Sequence, residues 1–341
     1  MKRIGVGIVG NGMATRVFHA PYIASVPKFE LRAVTSRRLG DAPPLPGVAL
    51  VASIDALLAD PAIELIVVAT PSGSHASLAK RALQEGRHVV VEKPFTLTVA
   101  ETQELLDLAK SKGLHAVAFH NRRWDSDFLT VGQAIAEGLV GDVLHFESHF
   151  DRFRPTIRDR WRENGGPGSG IWFDLGPHLA DQALSLFGMP RSISADIVAL
   201  RPGGTADDWA HVVLEYRGKR IVLHASMCVA GGSPRFAVHG TEGSLIKAQA
   251  DPQEAQSNAG LRPGDQDWGV DPDPLVWWDA DGTPHRRPAQ RGAQQTFYRQ
   301  MALACSGQGA PPTSPDEILA VQKVIEAAFL ASGERRSVSL A

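Results

Sequence analysis

Glu92-Lys93-Pro94 and Asp174-Leu175-Gly176-Pro177-His178 hold the side chains best suited to moving a proton. Lys93 follows the apolar run Val89-Val90-Val91, so it falls at the end of a buried strand, where an amine can reach into a crevice. A surface lysine closing a strand is the plainer alternative. A cis Lys93-Pro94 bond is expected, because it would aim the lysine back over the sheet edge. The second stretch sets a carboxylate and an imidazole four residues apart after a glycine-rich loop. Such a pair can orient a hydroxyl, shuttle a proton, or ligate zinc in a metal-dependent hydrolase, although no HExxH-type motif accompanies it. Asp174 capping a helix that starts at Pro177, with His178 inside it, accounts for the same residues structurally. His145 and His149 read as strand residues sharing one face, and no metal is expected.

A lysine at a strand edge needs something to act on, and the N-terminus suggests what. Ile4–Val9 runs into Gly10-Asn11-Gly12-Met13-Ala14-Thr15. Gly10 permits a tight turn, Gly12 lets the backbone approach a pyrophosphate, and the next helix presents its positive N-terminus to that group. Thr15 replaces the third glycine of this fingerprint, which should loosen helix-to-strand packing slightly. Thr35-Ser36-Arg37-Arg38 ends the second strand without the acidic residue that holds the ribose 2′-hydroxyl of NAD; hydroxyls and guanidinium groups suit the 2′-phosphate of NADP instead. A solvated basic turn would look the same. Thr70-Pro71-Ser72-Gly73-Ser74-His75 ends another buried strand and opens a helix, so Thr70, Pro71, Ser72 and His75 are candidates for lining the cofactor, or simply for starting that helix. Beside the nicotinamide ring, Lys93 would favour its neutral, proton-accepting form.

The elements around these residues divide the chain. Ile4–Val9, Leu31–Thr35, Leu65–Ala69, His88–Val91 and His115–Phe119 are short apolar runs joined by amphipathic stretches, the pattern of a parallel sheet with helices on both faces. Ser53 and Ser74 can cap the helices that follow them, and Thr98 with Glu101 reads as a capping box. Beyond Asn121 the texture changes to a helix near Leu129–Glu137, a long strand Val143–Phe153, an Arg/Trp/Gly loop to Gly170, and a helix Pro177–Phe187. Closely spaced strands follow from Ser192 to Ala248, hence antiparallel pairing; Asp251–Gln290 reads as an extended excursion before two closing helices. The expected domains are residues 1–120 and 121–341.

Composition excludes several classes. Lys+Arg 35 against Asp+Glu 37 gives a net charge of -2, too little field to recruit nucleic acid or an anionic membrane, so a small-molecule substrate is expected. Gly10-Asn11-Gly12 interrupts the N-terminal apolar run before it could serve as a signal peptide, and no run is long enough to cross a bilayer. The two cysteines, Cys228 and Cys305, are far apart, which suits a reducing cytoplasm.

In order, Gly10-x-Gly12, Ala69-Thr70-Pro71, Glu92-Lys93-Pro94 and Asp174-x-Gly176-x-His178 resemble the glucose-fructose oxidoreductase/inositol dehydrogenase/MocA family across essentially the whole chain. His120-Asn121-Arg122-Arg123-Trp124-Asp125, Arg160-Trp161-Arg162-Glu163 and Leu186-Phe187-Gly188-Met189-Pro190 look most like its bacterial NADP-dependent scyllo-inositol dehydrogenases. The resemblance implies an α/β chain. Its first domain would be a Rossmann doubly wound parallel sheet that binds NADP, and its second an α+β domain with a large open, mostly antiparallel sheet whose face often makes a homodimer, with a homotetramer also open. It implies that Lys93, Asp174 and His178 meet above the nicotinamide, with Lys93 or His178 as proton acceptor. Asn121, Arg122, Trp161 and Arg162 would be substrate-side walls, and Asn121 and Glu92 also border the cofactor. The reaction implied is hydride transfer between NADP and a cyclic polyol or sugar. A dinucleotide-binding sensor or scaffold without turnover is the alternative of a different class.

Overall fold

A computed structural model describes residues 3–36 and 40–340, and every count below refers to those residues. In chain order the elements of the first third are β1 (Ile4–Val9), α1 (Ala20–Ala24), β2 (Phe29–Thr35), β3 (Ala49–Val51), α2 (Ile54–Leu58), β4 (Ile63–Val68), α3 (His75–Gln84), β5 (His88–Val91), α4 (Val99–Ser111) and β6 (Ala116–Ala118). There follow α5 (Ser126–Ala136), β7 (Val143–Asp151), α6 (Ile171–Phe187), β8 (Ser192–Val198), β9 (Trp209–Tyr216), β10 (Lys219–Ser226), β11 (Phe236–Gly240) and β12 (Gly243–Lys247). The chain closes with α7 (Gln253–Asn258), β13 (Leu275–Asp279), β14 (Pro284–Arg287), α8 (Thr296–Cys305), α9 (Pro315–Glu334) and β15 (Val338–Ser339).

Every residue of β1 is buried, as a strand covered on both faces must be, and β1 to β6 form a parallel sheet in the order β3-β2-β1-β4-β5-β6. This is the doubly wound order, which reverses between β1 and β4 and so opens a crevice at the carboxyl ends of those strands. Thr98 and Glu101 form the expected box at the start of α4: Glu101 N donates to Thr98 Oγ1 at 3.1 Å, and the Glu101 carboxylate accepts from Leu97 N at 3.1 Å. Residues 1–121, 253–268 and 293–319 make one unit; residues 122–252, 269–292 and 320–341 make the other.

The second unit is built on a sheet in the order β14-β13-β12-β11-β7-β10-β9-β8-β15, antiparallel except where β7 and β10 run parallel. The fold class is α/β, a parallel dinucleotide-type sheet with a second, mostly antiparallel one. One face of the second sheet carries the core, where Phe146, Phe236 and Leu223 meet α6 residues such as Trp172 and Leu179. Asp251–Gln290 is not one extended excursion: it contains α7, and its Leu275-Val276-Trp277-Trp278 run becomes β13, hairpinned to β14 on the sheet edge. The surrounding Pro, Gly and Asp residues masked those strands. β7 ends at Asp151 rather than Phe153, which keeps only an isolated bridge to Cys228.

Candidate functional site

The first unit assembles its residues at the carboxyl edge of the parallel sheet. Gly10 has φ +109°, and a Cβ there would lie 2.4 Å from Ala69 O, so the turn out of β1 requires glycine. Its N–H donates to Thr35 Oγ1 at 2.9 Å, and its carbonyl accepts from Thr15 Oγ1 at 2.7 Å. Thr15 is buried, so rather than only loosening the packing it adds a hydrogen bond that fixes the turn, and Thr15–His19 winds as one π-helical turn ahead of α1. Gly12 is the opposite case. Nothing lies within 4 Å of a Cβ placed there, and neighbouring Met13 is 56% exposed, so the helix start faces open space, as close approach by a pyrophosphate requires. These residues, with Ala14 half-buried behind them, fit a dinucleotide.

The other edge residues mostly brace one another. Thr35 is buried, with its hydroxyl turned to Gly10, and Ser36 donates its hydroxyl to Asp41, an acidic neighbour that spacing along the strand did not reveal. Arg37 and Arg38 lie outside the described residues. Thr70 Oγ1 and Ser74 Oγ are 2.8 Å apart, Pro71 is exposed and Ser72 buried. The buried His75 ring spans the main-chain carbonyls of Pro94, 2.8 Å from Nδ1, and Thr70, 2.9 Å from Nε2. It stands between the residues beyond β4 and β5; both carbonyls only accept, so a neutral ring donates to one of them at a time.

Lys93 leaves β5 half-buried, its bond to Pro94 is cis, and its backbone N–H donates to Glu92 Oε2 at 3.1 Å. The other Glu92 oxygen is 3.1 Å from His19 Nε2, and His19 Nδ1 is 2.7 Å from Tyr298 Oη. A carboxylate can only accept, which assigns the proton to Nε2 and makes Nδ1 the acceptor of the Tyr298 hydroxyl. Burial would raise the Glu92 pKa, but the His19 hydrogen bond and the neighbouring His19, Lys93 and His75 outweigh it and hold the carboxyl below its usual range. Burial, reinforced by Glu92, pushes the Tyr298 phenol well up. Asn121, also buried, donates to Gln294 Oε1 at 3.0 Å, the same oxygen that accepts from Tyr22 at 2.7 Å. His19, Tyr298 and Gln294 had no motif to betray them; only the folded chain joins positions so distant in sequence.

In the second unit, α6 carries Asp174 and His178 one turn apart, on one face. The helix starts at Ile171, not Pro177, so Asp174 lies in its first turn and is not its cap. Gly170 occupies the N-cap position, and Asp207 does the capping from outside the helix: its carboxylate accepts from Trp172 N at 2.8 Å and its carbonyl from Ile171 N at 2.8 Å. Pro177 misled because proline favours a first turn, whereas here the helix tolerates it inside. Gly176 is required by packing, since a Cβ would come within 2.7 Å of the buried Trp172 ring. Arg162 Nε lies 3.1 Å from Asp174 Oδ1, so that carboxylate has a cation partner, and the guanidinium lies over the Trp161 ring, 4.3 Å from its centroid. His178 is 5% exposed, with the Phe150 ring 6.5 Å away. Arg122 pairs with Asp125 at 3.0 Å and lies over the same Phe150 ring at 5.0 Å. The loop bearing Trp161 and Arg162 is anchored by buried Glu163 to Arg158 and Arg201, each at 3.0 Å, and Arg201 is held by Asp208 at 2.8 Å.

A family model for the oxidoreductase family with an NAD-binding Rossmann fold matches residues 4–120, and one for the GFO/IDH/MocA C-terminal domain matches residues 128–246. The uncharacterized oxidoreductase YdgJ of Escherichia coli (strain K12) is 44% identical over 349 residues, covering 99% of each chain. The scyllo-inositol 2-dehydrogenase (NADP(+)) IolW of Bacillus subtilis (strain 168) is 36% identical, covering 99% of this chain and 96% of that protein. A solved oxidoreductase from Bacillus cereus superposes with a TM-score of 0.88 at 30% identity, covering 99% of both chains. No helix among the described residues is long and apolar enough to cross a membrane.

Proposed function

Because the chain belongs to the GFO/IDH/MocA family of NAD(P)-binding oxidoreductases, we propose that it moves hydride between NADP and a secondary alcohol or ketone of a cyclic polyol or sugar. The pair to try first is scyllo-inositol and scyllo-inosose, given the 36% identity to IolW. The observation that carries this reading is Lys93 at the end of β5, beside the crevice where the strand order reverses, with its backbone held by Glu92.

NADP, when bound, supplies the hydride chemistry. The turn at Gly10 and Gly12 and the helix start behind it take the pyrophosphate. Lys93 or His178 accepts the hydroxyl proton as the alcohol is oxidised and returns it in the reverse direction. Asp174, oriented by Arg162, accepts hydrogen bonds from ring hydroxyls; Asn121, Arg122 and Trp161 shape the substrate side. The working form is a homodimer or homotetramer, which light scattering of the purified protein checks.

The experiment is a screen of inositols and aldoses with NADP and with NAD, following the absorbance of the reduced cofactor. Turnover of a polyol or sugar supports the reading. Cofactor binding without turnover of any of them favours a sensor and overturns it.

A further inference from the structure

The face of the second sheet turned away from its core carries a group of imidazoles and carboxylates that the reaction above does not use. β7 alternates, so Glu147, His149 and Asp151 share that face, and β10 pairs in parallel with His224 directly beside His149. β9 then sets His211 beside His224. Asp151 lies between the two histidines: its Oδ1 is 3.5 Å from His224 Nε2, and its Oδ2 is 3.7 Å from His149 Nδ1. The three ligand atoms lie within 4.8 Å of one another. The Asp151 side chain is 2% exposed; no hydrogen bond of normal geometry reaches its oxygens or His149 Nδ1, and the polar groups that face it are His149, His224 and Ser233. A buried carboxylate held this loosely is stabilised by a cation placed between it and the imidazoles.

We propose that His149, Asp151 and His224 form a binding site for Zn2+ or a first-row divalent ion of similar chemistry. In a tetrahedral zinc site with bonds of about 2.0–2.1 Å, neighbouring ligand atoms stand about 3.3 Å apart. The separations of 3.5 and 3.7 Å are a small adjustment from that. The nitrogens turned away from Asp151 are already engaged: His149 Nε2 lies 2.8 Å from Glu147 Oε2, and His224 Nδ1 lies 3.4 Å from His211 Nδ1. Outer partners of this kind fix the tautomer and ring orientation of a metal-ligating histidine. The T-shaped contact of the Trp209 ring with His224, centroids 5.5 Å apart, walls one side. Two nitrogens and one carboxylate select zinc-like ions over Mg2+ or Ca2+, and three protein ligands leave one position open. A metal takes the neutral form of each ring, so the ion competes with protons for these histidines.

The test is calorimetric titration of the chelator-stripped full chain with Zn2+ alone, followed by elemental analysis and by visible spectra with Co2+. One equivalent of Zn2+ per chain is expected, weakening at least tenfold as the pH falls from 7.5 to 5.5. Binding is lost in His149→Ala and His224→Ala, weakened in Asp151→Asn, and unchanged in His239→Ala, which alters an imidazole of the same sheet outside the group. Absence of saturable binding, or binding that survives both alanine substitutions, overturns the site. Should those variants fail to fold, a wild-type Co2+ adduct without tetrahedral visible bands overturns it as well.

Discussion

His19 Nε2 lies 3.1 Å from Glu92 Oε1, and the same ring takes the Tyr298 hydroxyl on Nδ1 at 2.7 Å. One imidazole therefore links α8 to the residue that anchors the Lys93 backbone. Removing it in His19→Ala strands a buried phenol and a mostly buried carboxylate, at an expected cost of about 2–4 kcal/mol in urea unfolding. A loss under about 0.5 kcal/mol would show that the chain does not depend on this link. The pH dependence has a definite sign. Glu92 titrates lower in the folded chain than unfolded, so its contribution is present above its unfolded pKa and disappears as pH falls through the folded one. Glu92→Gln should remove that acid-side loss and leave the neutral-side curve in shape.

Lys93→Met removes the amine and keeps the bulk of the stem. Cofactor affinity, read from protein fluorescence, should stay within a few fold, while kcat falls by about two to four orders of magnitude, the scale of a lost general acid-base group. His178→Ala should also be damaging. If the two side chains share one proton, the double variant costs less than the sum; strict additivity assigns them separate steps.

What the sequence disclosed and what it hid follow a physical line. Val89-Val90-Val91 and Ile4–Val9 were legible because a strand buried on both faces has to be apolar throughout, and Thr98 with Glu101 was legible because capping is local. Gly10 announced itself through the turn it must make. The supports were not legible. His19 and Tyr298 meet across 279 positions, and nothing near either residue predicts the other. Asp207 caps α6 from 35 residues downstream of Trp172, while Pro177 sent a stronger local signal in the wrong place. His149 read as an ordinary strand residue because its neighbour His224 becomes visible only through the parallel pairing of β7 and β10.

Asp207 gives a second pH signature. Burial pushes its carboxyl up from 3.8 to about 6, although the amides of Trp172, Asp207 itself and Ile171 pull the other way. A folded pKa above the unfolded one means that its stability contribution is complete below the unfolded value and is lost as pH rises through the folded one. Between 3.8 and about 6 the wild-type curve should therefore carry a component that falls with pH, and Asp207→Asn should flatten it while still accepting from Trp172 N. Asp207→Ala removes the cap and should cost about 1 kcal/mol. Identical stability–pH curves for wild type and Asp207→Asn would refute the assignment.

Cofactor choice rests on fewer groups than the end of β2 first suggests. The Thr35 hydroxyl is turned to Gly10 N and the Ser36 hydroxyl to Asp41, so both are committed to the chain. On that reading Arg37 and Arg38 are the groups left to recognise a 2′-phosphate, whose charge the Asp41 carboxylate beside Ser36 opposes. A hydrogen bond to a charged group is worth about 1.5–3 kcal/mol net, and an exposed site keeps to the low end, so one or two contacts correspond to an NADP preference of about ten- to a hundredfold. Replacing both arginines with alanine should erase that preference and leave the rate with NAD unchanged, because the adenosine end is remote from the hydride. Asp41→Asn should act in the opposite direction, raising kcat/KM for NADP and barely moving the value for NAD, since it removes a like charge and keeps an acceptor for Ser36. Side-by-side kcat/KM values for the two cofactors decide the matter. Equal or better efficiency of the wild type with NAD, or a loss with both cofactors in the arginine variant, would mean that these arginines support the fold and do not read the phosphate.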